Sequence, residues 1–333
     1  MKTARWPIVL AGVMLIAAGC FAEAPDPNTA NTTNELQLLT DPHFVNGFNL
    51  LGIRSIETGS KVHDVLNYGK SSDVRPAWRL AQWGTSHSLQ GAKVEIVRPG
   101  MFRYSNVAKS VTADTVHGEL TLSALGSREY KAPRTANQEW PHLLVEQYLE
   151  HQPLVRDLGE LRMKLRVRVT QFRDHMTSES TNPALHAAQL QIYLMLQNTD
   201  RASRSYGDYL WFGLALFDNR EEMPKETYHR DGGKEDTTHK FIYIMPSSAF
   251  LTKSTRDGEW ASINVDVRPY VEKAVGIAHA EGFLQGTPQD KLAVTSLNLG
   301  WELPGTFDVE ATIRELELLA IRHPGASVQA GTP

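Results

Sequence analysis

Leu161-Arg162-Met163-Lys164-Leu165-Arg166-Val167-Arg168-Val169-Thr170-Gln171 alternates without a break. Leu161, Met163, Leu165, Val167 and Val169 fall on one side of an extended chain, and Arg162, Lys164, Arg166, Arg168 and Thr170 on the other. Side chains of a strand change face at every residue, so the stretch reads as a strand with one buried face. The pattern recurs from Ala188 to Gln197, where Leu190, Ile192, Leu194 and Leu196 oppose Gln189, Gln191, Tyr193, Met195 and Gln197. It recurs again from Asp208 to Asp218, with Leu210, Phe212, Leu214 and Leu216 against Tyr209, Trp211, Gly213, Ala215 and Phe217.

Shorter alternating runs are 78–83, 93–98, 119–125, 142–149, 241–245, 261–267, 292–301 and 307–318, with Gly, Pro, Asn or Asp in many of the gaps. One helix is predicted over 269–281. Pro269 stands in its first turn, Val271, Ala274, Val275 and Ala278 follow helical spacing, and Gly282 is the stop. About ten strands, each apolar on one face, require two stacked sheets. The fold class is therefore all-β, a two-sheet antiparallel β-sandwich of jelly-roll type with one short helix. Two smaller sandwiches divided near Ser180–Pro183 are the alternative.

Bulk composition narrows the function. The chain has 333 residues and a net charge of −4, too little basic charge for a nucleic-acid partner. Its single cysteine, Cys20, leaves no disulfide, no Cys-based zinc site and no cysteine nucleophile in the rest of the chain. Lys2 and Arg5 precede an apolar run from Trp6 to Ala18 that is too short to span a bilayer. Ala17-Ala18-Gly19-Cys20 resembles the lipobox of bacterial lipoprotein precursors, although Ala17 stands where that box usually has Leu. The resemblance implies lipidation of Cys20 and removal of residues 1–20. Removal would take Lys2 and Arg5 and leave a charge of −6. Phe21, where some lipoproteins carry a retaining Asp, points by the same resemblance to the outer membrane. Ordinary cleavage after Ala22 or Ala24 gives a periplasmic or secreted protein instead. The expected organisation is signal 1–20, flexible tether 21–42, sandwich 43–322 and frayed tail 323–333.

Three polar strand faces carry chemistry. Gln189, Gln191 and Tyr193 share one side of their strand; Tyr209 and Trp211 share another with Gly213 and Ala215; Trp140, His142, Glu146 and Tyr148 share a third. Asn298 and Glu302 oppose the apolar Leu297, Leu299 and Trp301. Aromatic faces pack on sugar C–H surfaces, and amides both donate to and accept from hydroxyls. If these strands neighbour one another, Trp140, His142, Glu146, Gln189, Gln191, Tyr193, Tyr209, Trp211, Asn298 and Glu302 line one groove for a polysaccharide or oligosaccharide. The strand pattern broadly resembles the jelly-roll domains of exported bacterial carbohydrate-binding and polysaccharide-degrading proteins, with no motif matched residue by residue.

Two catalytic sets can be drawn on the same groove. His142, Gln191 and Tyr193 would serve a polysaccharide lyase. Glu146 and Glu302 would serve a glycoside hydrolase, which needs two carboxylates roughly 5–10 Å apart. A structural envelope lipoprotein with a protein partner is the third class. No cofactor is implied. His229 and His239 flank an acidic loop without zinc or EF-hand spacing, and scattered calcium ligands are invisible to sequence. The stripe Arg162, Lys164, Arg166 and Arg168 has three readings: a solvated edge strand, a strand paired with acidic neighbours, or contact with a polyanion.

Overall fold

The computed structural model describes residues 34–323 except 55–59, 72, 74 and 233–236. Cys20, the signal and the first part of the tether lie outside the described residues, as does the tail from residue 324.

The alternating segments form two sheets stacked through one apolar core. In chain order the first nine strands are β1 (Glu35–Gln37), β2 (Phe48–Leu51), β3 (Val62–Leu66), β4 (Trp78–Ala81), β5 (Glu95–Arg98), β6 (Met101–Ser105), β7 (Lys109–Asp114), β8 (Glu119–Leu125) and β9 (His142–Tyr148). The rest are β10 (Leu158–Asp174), β11 (Gln189–Asn198), β12 (Tyr209–Asp218), β13 (Thr227–Arg230), β14 (Phe241–Met245), β15 (Ala261–Asp266), β16 (Leu292–Glu302) and β17 (Phe307–Arg322). The eight-stranded sheet runs β15-β10-β17-β8-β7-β6-β5, with β1 also on β17, and the nine-stranded sheet runs β13-β14-β12-β11-β16-β9-β4-β2-β3. Pairing is antiparallel except β12 with β14 and β2 with β4. Each sheet mixes strands from before and after residue 180, so there is one sandwich and no division at Ser180–Pro183.

Burial follows the alternation. Leu161, Met163, Leu165 and Val167 of β10, Leu190, Ile192, Leu194 and Leu196 of β11, and Leu297, Leu299 and Trp301 of β16 all lie in the core. Trp301 is fully buried and its indole donates to the Leu122 carbonyl at 3.1 Å. A one-turn helix α1 (Gly126–Glu129) is too short to leave a period in the sequence. The longer helix α2 spans Arg268–Ala280 and carries Pro269 in its first turn. It buries the four residues read from its spacing, Val271, Ala274, Val275 and Ala278.

Three expectations change. The segment 34–42 is not tether: β1 pairs with β17, and Leu38 and Leu39 are buried. The strand β10 is not an edge, because β15 and β17 flank it, and Lys164 and Arg166 meet Glu317 and Glu315 at 3.3 and 3.8 Å. Phe217 does not share the face of Tyr209 and Trp211. Leu190 opposes Phe217 while Gln191 opposes Ala215, so Leu216 is an extra residue. This bulge turns Phe217 into the core against Trp301 and brings Asp218 to the outer face beside Gln189.

Trp301→Ala should lower stability by about 3–5 kcal/mol, the cost of emptying a filled aromatic site. Ile96, 68 % exposed on the edge strand β5, should change stability by less than about 0.5 kcal/mol on truncation to Ala. Urea denaturation of both variants checks the core assignment, and equal losses would contradict it.

Candidate functional site

The outer face of the nine-stranded sheet is built from rows set by register. Asp218, Gln189, Glu302 and His142 stand side by side across β12, β11, β16 and β9. The next outward-facing row is Ala215, Gln191, Gly300 and Leu144. The third is Gly213, Tyr193, Asn298, Glu146 and, on β4, Arg79. Then come Trp211, Met195, Ser296 and Tyr148. The core claims the alternate residues of these strands, so the polar set has no other face to occupy.

These rows floor one cleft of about 1150 Å³. All ten residues of the expected groove line it: Trp140, His142 and Glu146 on the β9 side, Gln189, Gln191 and Tyr193 on β11, Tyr209 and Trp211 on β12, and Asn298 and Glu302 on β16. Trp83 lines it as well, whereas Trp78 is buried on the core side. Sequence reasoning missed the walls, which come from loops and edge strands: Arg134, Leu185, Arg220, His229 and Asp231. It also missed Arg79, whose signal was its place one strand beyond Glu146.

The floor has two aromatic stations. At one end Trp211 meets the rings of Tyr193 and Tyr209 edge-on, with centroids 6.2 and 5.4 Å away. Gly213 makes room there: a Cβ at this position would lie 2.4 Å from Ile244 and 2.8 Å from the Tyr193 ring. At the other end Trp140 stacks on His142 at 5.8 Å, Trp83 meets His142 edge-on at 5.7 Å, and the Arg134 guanidinium lies 4.6 Å over the Trp140 ring. Strand spacings place the Cα atoms of Trp211 and Trp140 about 30 Å apart along the sheet.

Polar groups occupy the middle. Glu302 accepts from the Trp140 indole at 3.1 Å and faces His142 Nε2 at 3.5 Å, while His142 Nδ1 donates to the Trp140 carbonyl at 2.9 Å. Asp218 is held by Arg220 and Gln189. Burial pushes its carboxyl up, but the hydrogen bonds and charge of Arg220 outweigh that and hold it below the usual carboxylate range. Burial pushes the Tyr193 hydroxyl upward, reinforced by the carboxylates of Glu302, Asp231 and Asp218, so it stays neutral. Among the described residues, Gln191 Oε1 and Asn298 Oδ1 are buried acceptors without a hydrogen-bond partner.

The two carboxylates do not form a close pair. Glu302 opposes His142, and Glu146 lies four residues further along β9, which sets their Cα atoms about 14 Å apart. Side chains stand roughly perpendicular to a sheet, and Glu146 leans outward to Arg79 at 3.1 Å. The lyase set is wider still, with about 17 Å between the Cα atoms of His142 and Tyr193. Among the described residues no group of three or more His, Cys, Asp or Glu is placed to hold a metal.

No protein-family profile matches the chain, and no curated protein sequence matches it. Solved structures similar to it include a meso-active thermostable cellulase derived from Cel12A of Rhodothermus marinus, 11% identical with a TM-score of 0.39, covering 72% of this chain and 98% of that one. A family 12 xyloglucanase from Bacillus licheniformis is 12% identical at a TM-score of 0.40, over 68% and 96% of the two chains. The family 11 xylanase of Neocallimastix patriciarum is 10% identical at 0.36, over 68% and 94%. Likeness at this level fixes neither a family nor an activity.

Glu146 gives a pH test. Burial pushes its carboxyl above the ordinary value of 4.5, and the Arg79 charge only partly counters this. The folded state therefore holds the proton more tightly than the unfolded state, and stability falls as pH rises from 4.5 through the raised value. Glu146→Gln should remove that slope. Denaturation at a series of pH values should show the wild type losing stability relative to the variant across this window; a difference independent of pH would contradict the desolvated carboxyl.

Proposed function

We propose that this chain is a carbohydrate-binding protein that holds a polysaccharide segment in the cleft. One observation carries the reading: a single open cleft of about 1150 Å³ has aromatic stations at both ends and amides and carboxylates between them. Ligand pockets for small molecules run to roughly 1,000 Å³, so the cleft suits an oligosaccharide rather than one sugar. The ring of Trp211 offers an apolar face, and Gln189, Gln191, Asn298 and Glu302 offer acceptors and donors to hydroxyls.

A second reading, a glycoside hydrolase or lyase, is favoured by one observation: Glu146, largely enclosed beside Arg79 in the cleft, has its carboxyl pushed upward by desolvation. Against it stands the spacing of Glu146 from Glu302, which leaves each carboxylate with its own neighbours. New reducing ends or unsaturated products from a polysaccharide panel would establish the enzyme; binding without product supports the first reading.

The anchor at Cys20 belongs to the same proposal. A lipid on a domain that grips a glycan would keep that glycan at the cell envelope. The protein should fractionate with membranes, and Cys20→Ser should release it; retention of the variant would remove the anchor.

Trp211→Ala and Tyr193→Ala should each weaken binding of a recognised oligosaccharide about tenfold or more, as expected for loss of a stacking ring. Isothermal titration measures this. Unchanged affinity in both variants would place the ligand elsewhere.

A further inference from the structure

The basic stripe of β10 is not accounted for by the cleft, because it faces away on the other sheet. Register places Arg168, Thr312, Thr121, Thr112 and Arg103 in one row across β10, β17, β8, β7 and β6, and Trp260 directly precedes the neighbouring strand β15. Most of the stripe is neutralised: Arg162 pairs with Glu160, Lys164 with Glu317 and Arg166 with Glu315. Arg168 is different. Among the described residues no carboxylate lies within ion-pair distance of it, and its guanidinium rests 4.7 Å from the centre of the Trp260 ring. Arg314 and Arg166 crowd the same ring at 4.2 and 5.4 Å. Three guanidinium groups there meet two carboxylates, Glu119 and Glu315. The Nε atoms of Arg166 and Arg168 are buried without an acceptor, while that of Arg314 lies 3.4 Å from a Glu315 carboxylate oxygen. Stacking on Trp260 has already fixed the Arg168 fork, so little side-chain freedom is lost when it takes an oxyanion.

Beside this cluster, on the same face, lies a trough of about 530 Å³ lined by Ser110, Thr112, Thr121 and Ser123, with Arg103 and Glu310 among its walls. Arg103 pairs with the exposed Glu95 at 3.5 Å, a contact too weak to hold it against a ligand anion. Arg168 and Arg103 stand four strand spacings apart, about 19 Å, with hydroxyls between them. Cations at both ends of a hydroxyl floor match a chain that carries acid groups at intervals and hydroxyls between. We propose that this outer face is a second glycan site, specific for an acidic polysaccharide, with Arg168 and Arg103 each taking a carboxylate or sulfate. The protein would then hold one glycan in the cleft and an acidic one on the opposite sheet.

The test is binding of the full chain to polygalacturonate, to its carboxyl-reduced neutral counterpart and to phosphatidylglycerol vesicles, at low and moderate salt. Polygalacturonate should bind and weaken with salt, and the reduced polymer should not bind. Arg168→Gln with Arg103→Gln should weaken binding at least tenfold, and Arg168→Lys, which keeps the charge but loses the fork, should weaken it less. Trp211→Ala, which reports on the cleft alone, should leave it unchanged. Wild-type affinity in the folded double variant, equal binding of the reduced polymer, or arginine-dependent binding to the vesicles in place of polygalacturonate would each overturn the proposal.

Discussion

The hydrogen-bonded ladder joining β12, β11, β16 and β9 determines what this protein offers its surroundings. Each strand commits alternate residues to the shared core, among them Ile192, Leu194, Leu297, Leu299 and Val145, all inaccessible to solvent. Slipping any strand by one residue would bury Gln191, Tyr193 or Asn298 and expose leucine, so the register is fixed by burial. Once it is fixed, the outer residues line up in rows and the floor of the cleft follows.

The floor was legible in the sequence because its strands are long and their alternation is clean. Tyr193 and Trp211 could be assigned to a polar face from their apolar neighbours alone. The bulge at Leu216 left no such mark. It reverses the faces of Phe217 and Asp218, and only the pairing partner reveals it. The short strands β1, β2, β3, β6, β7 and β13, of three to six residues, fell outside the alternating runs, whereas β4, β5, β14 and β15, equally short, fell within them. The interior place of β10 was hidden for another reason: its partner strand is remote, with Glu317 lying 153 residues from Lys164. The cleft walls are loops and edge strands, whose positions depend on tertiary packing rather than on periodicity.

The cleft separates its charges instead of concentrating them. Glu146 sits with Arg79, Asp218 with Arg220, and Glu302 with Trp140 and His142. Each carboxylate thus has a local partner and a local task. What remains shared is the surface between them, where Gly213, Ala215 and Gly300 keep side chains short and the amides of Gln191 and Asn298 stand at its edge. The proposed polysaccharide would lie along that surface. The opposite sheet repeats the principle with hydroxyls and arginines in place of aromatic rings and amides.

Six of the seven tryptophans lie in the described residues and supply the most direct measurement. Trp83, Trp140 and Trp211 line the cleft, Trp78 and Trp301 lie in the core, and Trp260 stands on the far sheet. Titrating a neutral oligosaccharide while following the indole N–H resonances separates these places. Binding in the cleft predicts shifts at Trp211 and Trp140 and none at Trp260. Shifts confined to Trp260, or none at saturating ligand, would contradict the account.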